Sequence, residues 1–265
     1  MKKQKLSGAE GFETYYLSVF GERWPALKAA LLKENKAEAY SENLIQNYYL
    51  DYASIQAAKA MPLLEEGSCL DMCAAPGGKT LVLLSRIKGD AEIQANELSA
   101  DRRNRLIRVL DEHLSEDCRK RIRVSGYDAS RMPRYGQELY ERILLDAPCS
   151  SERHVLQNEK YLKQWTEARI KNLSQRQWAL LSAAFLLLKP KGYLIYSTCA
   201  LADEENDFLI EKLIKKYKER VRLEEKPDSL GPGPVLPEKT KYGFRFLPDK
   251  AEGAGPIYFS LIQKN

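Results

Sequence analysis

Two cysteines and an aspartate stand where predicted strands end, and their residue types suit covalent chemistry. The motif LLDAPCSS (144–151) carries Asp146 and Cys149, and YSTCALADEEND (196–207) carries Cys199 just before a predicted helix. A thiol near a helix N-terminus can have a lowered pKa, which favours the nucleophilic thiolate. A free cysteine alone is more often a small core residue than a nucleophile. The three residues together, at neighbouring strand ends, indicate a reactive cleft.

A second motif, LDMCAAPGGKT (70–80), has the form of a strand, a glycine-rich turn and a helix. In a doubly wound sheet such a turn lies at the carboxyl end of the strands, where ligands bind. Gly77 and Gly78 allow the backbone to come close to a ligand. The motif matches neither the dinucleotide-binding pattern nor the P-loop pattern. A tight turn that only joins a strand to a helix is the alternative.

Acidic residues end or follow the next two predicted strands. Glu97 ends the second strand, where a carboxylate can accept hydrogen bonds from ribose hydroxyls. Asp128 follows the third strand, where it can bind an adenine amino group. Acids at such positions also act as helix caps, so each of them alone leaves both interpretations open.

The elements that must position these residues alternate between strand and helix. This alternation predicts an α/β fold with a doubly wound parallel sheet covered on both faces. The segment 226–240, with four prolines and two glycines, is predicted to be a surface loop. The predicted strands cover residues 68–73, 91–97, 121–128, 140–148, 191–199 and 256–263.

Residues 1–60 are predicted to form a short helical N-terminal extension, and residues 61–265 form the α/β domain. The apolar side chains of the first stretch recur at helical spacing, as they do in a second stretch over 41–59. The stripe is interpreted as a packing face. Its members are Tyr15, Val19, Phe20, Trp24, Leu27 and Leu31.

Composition excludes several classes of protein. The net charge of +5 over 265 residues is compatible with a polyanionic partner without requiring one. No stretch approaches the roughly 18 apolar residues of a membrane span, so no membrane partner is expected. Five cysteines at irregular spacing and two histidines predict neither a disulfide framework nor a metal site. Without a recognisable export signal, reduced thiols and a cytoplasmic location are expected.

The motifs DMCAAPGGKT, DAPCSS and YSTCALADEEN resemble the signatures of the Sun/Fmu (RsmB-type, NOL/Sun) RNA cytosine-5 methyltransferases. The resemblance runs from about residue 67 to the C-terminus. Three further sequence segments, FGERWPAL, SERHVL and GPIYFSL, resemble segments of one branch of this family, the mitochondrial small-subunit ribosomal RNA methyltransferases. The resemblance implies a Rossmann-like, seven-stranded methyltransferase sheet that uses S-adenosylmethionine as its cofactor.

The resemblance also implies a role for each motif residue. Cys199 would be the nucleophile that adds to C6 of cytosine, Cys149 would assist product release, and Asp146 would contact the reacting base and cofactor. Glu97 would hold the ribose of S-adenosylmethionine and Asp128 its adenine. The methionine part would lie in the loop formed by Cys73, Ala74, Ala75, Pro76, Gly77, Gly78 and Lys79. No metal is implied.

The implied substrate is RNA, with ribosomal RNA favoured over transfer RNA. Since the chain carries no sizeable second RNA-binding domain, a partner protein or a ribosomal particle is expected to help recruit RNA. Two other classes stay open: a non-catalytic RNA-binding assembly factor that keeps the fold, and a DNA cytosine-5 methyltransferase. Four arginines on one predicted helix are candidates for phosphate contacts or for a solvated helix face: Arg102, Arg103, Arg105 and Arg108.

Overall fold

A computed structural model describes residues 6–35, 37–225 and 235–265 of the chain. The first part of the predicted surface loop, residues 226–234, lies outside the described residues. No helix in the described ranges is both long and apolar enough to cross a membrane.

The N-terminal segment begins with two helices and continues as a β-hairpin. The helices are α1 (Gly8–Phe20) and α2 (Trp24–Leu32), and the hairpin pairs β1 (Ala37–Tyr40) with β2 (Tyr48–Asp51) in antiparallel fashion. A third helix, α3 (Tyr52–Lys59), follows at once.

The predicted helix over 41–59 is therefore wrong before residue 52. Asn43 has a φ of +61°, which turns the chain between the two strands. The backbone N–H of Ile45 then donates to the carbonyl of His113 at 2.9 Å, so tertiary contacts hold this stretch outside a helix. Asp51 caps α3 by accepting from the backbone N–H of Ser54 at 3.2 Å.

The main sheet has nine strands, two more than the seven that the resemblance implies, and it contains all six strands predicted from the sequence. The spatial order is β5-β4-β3-β6-β7-β11-β10-β9, with β8 beside β11. The five strands from β5 to β7 are parallel to their neighbours, whereas β11 runs antiparallel to β7. The bounds are β3 (Ser68–Asp71), β4 (Glu92–Asn96), β5 (Ile122–Ser125), β6 (Tyr140–Asp146), β7 (Leu188–Thr198), β8 (Val221–Leu223), β9 (Glu238–Lys239), β10 (Phe244–Phe246) and β11 (Ile257–Lys264).

Helices cover both faces of the sheet, which confirms the doubly wound α/β prediction. Successive side chains of β6 point to opposite faces, as strand geometry requires. Leu144 packs in the core under α3, α4 and α5, whereas Ile143 and Leu145 pack in the core under α9 and α10. The helices are α4 (Gly78–Leu84), α5 (Ala100–His113), α6 (Glu116–Lys120), α7 (Glu152–Leu156), α8 (Glu159–Lys163), α9 (Glu167–Leu187) and α10 (Asp207–Tyr217).

The N-terminal helices pack against the carboxyl end of the sheet through an aromatic cluster. The ring of Tyr16 stacks on Trp24 with centroids 5.3 Å apart, and both are fully buried. Leu201, two residues after Cys199, belongs to the same buried cluster. The predicted packing face of α1 therefore reaches the loop that carries Cys199.

Candidate active site

The glycine-rich loop lies between β3 and α4 and is fixed at both ends. At its start, the backbone N–H of Ala74 donates to the carbonyl of Asn96 at 2.9 Å. Gly77 has a φ of +121°, a conformation that side-chain-bearing residues rarely adopt. A Cβ on Gly78 would lie 2.8 Å from Cε1 of Tyr48, so the second glycine is required by a close approach of β2.

Three cavities lie in a row along the carboxyl end of the sheet. The acid cavity, of about 100 Å³, is lined by Glu97, Asp128 and Cys73. The loop cavity, of about 170 Å³, is lined by Cys73, Gly78, Lys79, Asp146, Tyr48 and Ser54. The cysteine cavity, of about 310 Å³, is lined by Ser54, Cys199 and Ser151. Neighbouring cavities share Cys73 and Ser54, so the row connects all the predicted motifs.

Glu97 is buried at the end of β4, and only one of its oxygens is hydrogen-bonded. Oε1 accepts from the backbone N–H of Ser99 at 2.9 Å. Oε2 lies 3.2 Å from Nη1 of Arg102 without hydrogen-bond geometry, and it has no other partner among the described residues. A buried acceptor in a cavity wall is suited to a ligand hydroxyl.

Asp128 takes the capping role that the sequence left open. Its Oδ1 accepts from the backbone N–H and the hydroxyl of Ser130, at 3.1 and 2.7 Å, at the start of a short helical turn over 129–134. Its carboxylate nevertheless lines the acid cavity together with Glu97. The cap and the predicted ligand contact are therefore compatible.

Two of the four candidate phosphate-binding arginines donate to backbone carbonyls beside the acid cavity. Nη2 of Arg102 donates to the carbonyl of Ala75 at 2.7 Å, and Nη1 of Arg103 donates to the carbonyl of Glu97 at 2.9 Å. These contacts give both guanidinium groups a structural role. Arg105 and Arg108 are exposed, and contact of all four arginines with phosphates stays a prediction.

Lys79 and Asp146 form an ion pair between the loop and the end of β6. Nζ of Lys79 lies 2.9 Å from Oδ2 of Asp146. Burial opposes the charged ammonium, but the charge and hydrogen bond of Asp146 outweigh it and raise the pKa of Lys79 above its ordinary value. The pair therefore places a fixed positive charge at the mouth of the sheet.

Cys149 and Cys199 meet as predicted, with their sulfur atoms 2.8 Å apart and both thiols free. The hydrogen bond from Cys149 lowers the pKa of Cys199, as does the hydroxyl of Ser151 at 3.3 Å, although burial opposes this. The same hydrogen bond, together with burial, raises the pKa of Cys149. Cys199 is therefore the more readily ionised thiol of the pair, and Cys149 is the thiol that more readily keeps its proton. Burial raises the pKa of Cys73 to about 12, which makes it unsuited to be a nucleophile.

Two buried carboxyl groups lie under the loops that carry Cys149 and Cys199 (the cysteine loops). Neither of them was identified from the sequence as a site residue. Glu152 and Glu205 are both fully buried. Oε2 of Glu205 accepts from the backbone N–H of Ser150 at 3.0 Å and from Nε2 of Gln177 at 2.6 Å. Burial, followed by the nearby charge of Glu152, raises the pKa of Glu205 to about 8. Glu152 directly follows DAPCSS and Glu205 lies within YSTCALADEEND, but nothing in the sequence distinguishes either acid from its polar neighbours.

Glu205→Gln is expected to flatten the dependence of stability on pH. The unfolded chain ionises Glu205 near pH 4.5 and the folded chain near pH 8. Between these values the folded state binds more protons, so the free energy of unfolding falls as pH rises, by up to roughly 4 kcal/mol. Urea denaturation at pH 5, 6.5 and 8 measures the slope. Glu204→Gln, at the neighbouring position, should keep the wild-type slope, and an equal slope in Glu205→Gln contradicts the assignment.

Comparison with known proteins supports the resemblance. The family model "16S rRNA methyltransferase RsmB/F" matches residues 58–262. The "5-cytosine rRNA methyltransferase NSUN4" of Mus musculus is 34% identical over 235 residues, which is 84% of this chain and 61% of that protein. The "Ribosomal RNA small subunit methyltransferase F" of Aeromonas salmonicida is 33% identical over 163 residues, 62% of this chain and 33% of that protein.

Solved structures agree with the fold. NSun6 from Pyrococcus horikoshii, solved with SFG, is 28% identical with a TM-score of 0.68, covering 86% of this chain and 55% of that one. PH0851 superimposes with a TM-score of 0.80 over 97% of this chain and 66% of that one, at 21% identity, and shows the fold alone.

The match to the family model covers most of the chain, and it includes the glycine-rich loop and both cysteine motifs. The chain spans between a third and about three fifths of the length of the curated relatives compared here. The resemblance inferred from the motifs is confirmed: the chain belongs to the RsmB/F methyltransferase family.

Proposed function

We propose that this chain is an S-adenosylmethionine-dependent RNA cytosine-5 methyltransferase that acts on ribosomal RNA. The observation that carries the proposal is the pair of free thiols, Cys149 and Cys199, 2.8 Å apart in line with the glycine-rich loop. A thiolate with a proton-carrying partner suits covalent catalysis on a pyrimidine ring. The names of the NSUN4 and methyltransferase F relatives support ribosomal RNA as the substrate.

The residues of the first two cavities fit S-adenosylmethionine. Oε2 of Glu97, which is paired with Arg102 but accepts no hydrogen bond among the described residues, is positioned for a ribose hydroxyl, and Asp128 lies on the same cavity for the adenine amino group. The loop from Cys73 to Lys79 lines the next cavity and would hold the methionine part. The relative NSun6 was solved with SFG, an analogue of this cofactor. When bound, the cofactor supplies a methyl group that is activated by a sulfonium.

Cys199 would begin the reaction on the target base. Its thiolate adds to C6 of cytosine, forming a sulfur–carbon bond, and the electrons of the C5–C6 double bond shift towards C4 and N3. This addition makes C5 a nucleophile, which it is not in the free base. The base must leave its stack to reach the thiol, and the cysteine cavity of about 310 Å³ beside Cys199 gives it space.

Cys149 would complete the reaction by removing a proton. Once Cys199 is bonded to C6, its sulfur is no longer a thiolate, so it no longer accepts a strong hydrogen bond from Cys149. Cys149 first loses its proton to water in the cysteine cavity, which accounts for the one proton that methylation releases overall, and its thiolate then takes the proton from the methylated C5. The electrons of that bond restore the C5–C6 double bond and expel Cys199 as a thiolate. A thiol whose pKa is raised is a strong base once it is ionised, which suits this task.

Asp146 is expected to contact the base as a hydrogen-bond acceptor. Its Oδ2 already accepts a hydrogen bond from Nζ of Lys79. Its Oδ1 has no donor among the described residues, and it can accept from the amino group of cytosine. The positive charge of Lys79 would then stabilise the electron density that moves towards N3.

Transfer of labelled methyl groups to purified RNA tests the proposed function. The expected result is incorporation into ribosomal RNA, with the product mapped to a cytosine by bisulfite sequencing. Labelling of transfer RNA alone would favour a second candidate, since a relative from Danio rerio, 30% identical over 231 residues, is named as a transfer RNA methyltransferase. Labelling of DNA in preference to RNA would contradict the RNA class. Binding without any transfer would favour an assembly factor, which a partner protein or ribosomal particle could recruit.

Glu97→Ala is expected to weaken binding of S-adenosylmethionine about tenfold or more. The substitution removes a buried carboxylate oxygen of the acid cavity that accepts no hydrogen bond, and hydrogen bonds to a charged group contribute roughly 1.5–3 kcal/mol. Isothermal titration calorimetry measures the affinity. Glu92→Ala, at the exposed start of the same strand, is the matched control and should bind normally. Unchanged affinity in folded Glu97→Ala would remove Glu97 from the cofactor site.

A further inference from the structure

Glu152 lies directly under both cysteine loops and touches neither thiol. Its carboxylate is fully buried and accepts three hydrogen bonds. The backbone N–H of Leu201, two residues after Cys199, donates to Oε2 at 3.1 Å. The hydroxyl of Ser150, directly after Cys149, donates to Oε1. One side chain therefore joins the loop of the nucleophile to the loop of its partner.

The third donor comes from the N-terminal segment. The hydroxyl of Tyr16, in the middle of α1, donates to Oε1 of Glu152 at 2.5 Å. Tyr16 cannot easily shift, because its ring is stacked on Trp24 and packed 4.6 Å from Phe12, centroid to centroid. The aromatic cluster thus gives Glu152 a fixed anchor. The helix that supplies this anchor lies outside residues 58–262, which match the family model.

We propose that Tyr16 and Glu152 are positioning residues, through which the N-terminal helix sets the relative placement of Cys149 and Cys199. The inference rests on the proposed function, because it concerns the thiol pair that would carry the reaction. The hydrogen bond between the thiols spans 2.8 Å, and it stabilises the Cys199 thiolate only while the two loops keep their relative positions. A buried carboxyl group that is hydrogen-bonded to both loops and to a rigid helix fixes those positions.

The hydrogen-bond chemistry of Glu152 indicates which substitutions should be tolerated. Glu152→Gln can keep all three contacts, because its oxygen can accept from the N–H of Leu201 while its amide group donates to the two hydroxyls. Hydroxyl groups can reverse their roles, whereas a backbone N–H cannot. Tyr16→Phe removes one donor and the anchor, but it leaves the carboxyl group of Glu152 and its contacts with Leu201 and Ser150 in place.

The decisive comparison is between Tyr16→Phe and Tyr15→Phe. Tyr15 lies on the same helix and also donates to a carboxylate, Oε2 of Glu204, at 2.8 Å. Both variants lose one phenolic hydrogen bond from the same aromatic cluster, so a merely structural role predicts similar effects. Glu204 makes no hydrogen bond to either cysteine loop among the described contacts, so only Tyr16→Phe should disturb the thiols.

The readout is alkylation of Cys199 by iodoacetamide from pH 6 to 10, followed by peptide mass spectrometry, without RNA or cofactor. In Tyr16→Phe we expect the pH profile of Cys199 to move upward and its alkylation at pH 7 to slow about tenfold, the effect of one lost hydrogen bond to a charged group. Tyr15→Phe and Glu152→Gln should alkylate at least half as fast as the wild type. Methyl transfer by Tyr16→Phe should fall with an unchanged KM for S-adenosylmethionine.

Equal alkylation of Cys199 in the two tyrosine variants, or a slow Glu152→Gln, would overturn the positioning role. Because alkylation requires no substrate, this outcome is separate from a failure of the proposed function. If the two tyrosine variants differ as expected but no RNA is methylated by the wild type, the positioning role stands and the proposed reaction is wrong.

Discussion

Replacement of Cys149 by alanine is expected to leave the protein covalently joined to its RNA. The thiol of Cys199 can still add to C6, although more slowly because it loses the hydrogen bond of Cys149, and C5 can still be methylated. The C5 proton then has no base beside it, since Cys149 supplies the only thiol in contact with Cys199 among the described residues. Release of Cys199 stalls, and turnover should fall by roughly three orders of magnitude.

Denaturing electrophoresis detects this complex as a slow band that RNase treatment shortens. Cys199→Ala should also abolish turnover but should give no such band, because no bond to C6 can form. The double variant should behave like Cys199→Ala, since release matters only after addition. Cys118→Ala, on α6 and half-buried, is the control and should turn over normally. A stable band from Cys199→Ala instead would reverse the roles of the two cysteines.

The sheet and its strand ends were predictable because their signals are local. Buried parallel strands appear in the sequence as short runs of apolar residues, and each run is followed by a turn of distinctive composition. Asp146, Cys149 and Cys199 follow such runs, so their shared location required only that β6 and β7 be neighbours. For the same reason the motifs carried the family resemblance without any knowledge of the packing.

The hydrogen bonds that hold the cysteine motifs in place were not predictable, because they join segments that are distant in the sequence. Tyr16 and Glu152 are 136 positions apart, and the predicted apolar stripe included Tyr15 but not Tyr16. The hairpin over 37–51 was missed for a similar reason. Its short strands are stabilised by each other and by the end of α5, not by intrinsic propensity.

Arg102 has a structural contact that the surface pattern could not indicate. A run of arginines on a helix suggests phosphate contacts, and Arg102 also donates to the carbonyl of Ala75 and pairs with Glu97. The helix begins directly after the strand that ends at the acid cavity, so its first turn faces the cofactor loop. Contact of the four arginines with phosphates stays a prediction.

Loss of the Lys79–Asp146 pair is expected to stop methyl transfer while leaving the thiols reactive. Lys79→Met removes the only ammonium that contacts Asp146 among the described residues, and it leaves a carboxylate beside the base without its counter-charge. Electron density that moves towards N3 then meets negative charge instead of positive charge. Loss of one such electrostatic contact lowers kcat by about 100-fold or more. Asp146→Asn should lose a similar factor, because it frees Lys79 and weakens recognition of the amino group.

A double-variant cycle separates this local role from general damage. If the two residues act as one unit, Lys79→Met combined with Asp146→Asn should be no slower than the slower single variant, whereas independent roles would multiply the losses.

Lys88→Met, just beyond the same helix and exposed, controls for the loss of a positive charge and should keep wild-type kcat. Alkylation of Cys199 should stay within a few fold of wild type in Lys79→Met, since Cys149 and Ser151 supply the hydrogen bonds that lower the pKa of Cys199. If the two losses in kcat multiply in the double variant, Lys79 and Asp146 act independently. The proposal that they act as one unit would then be wrong.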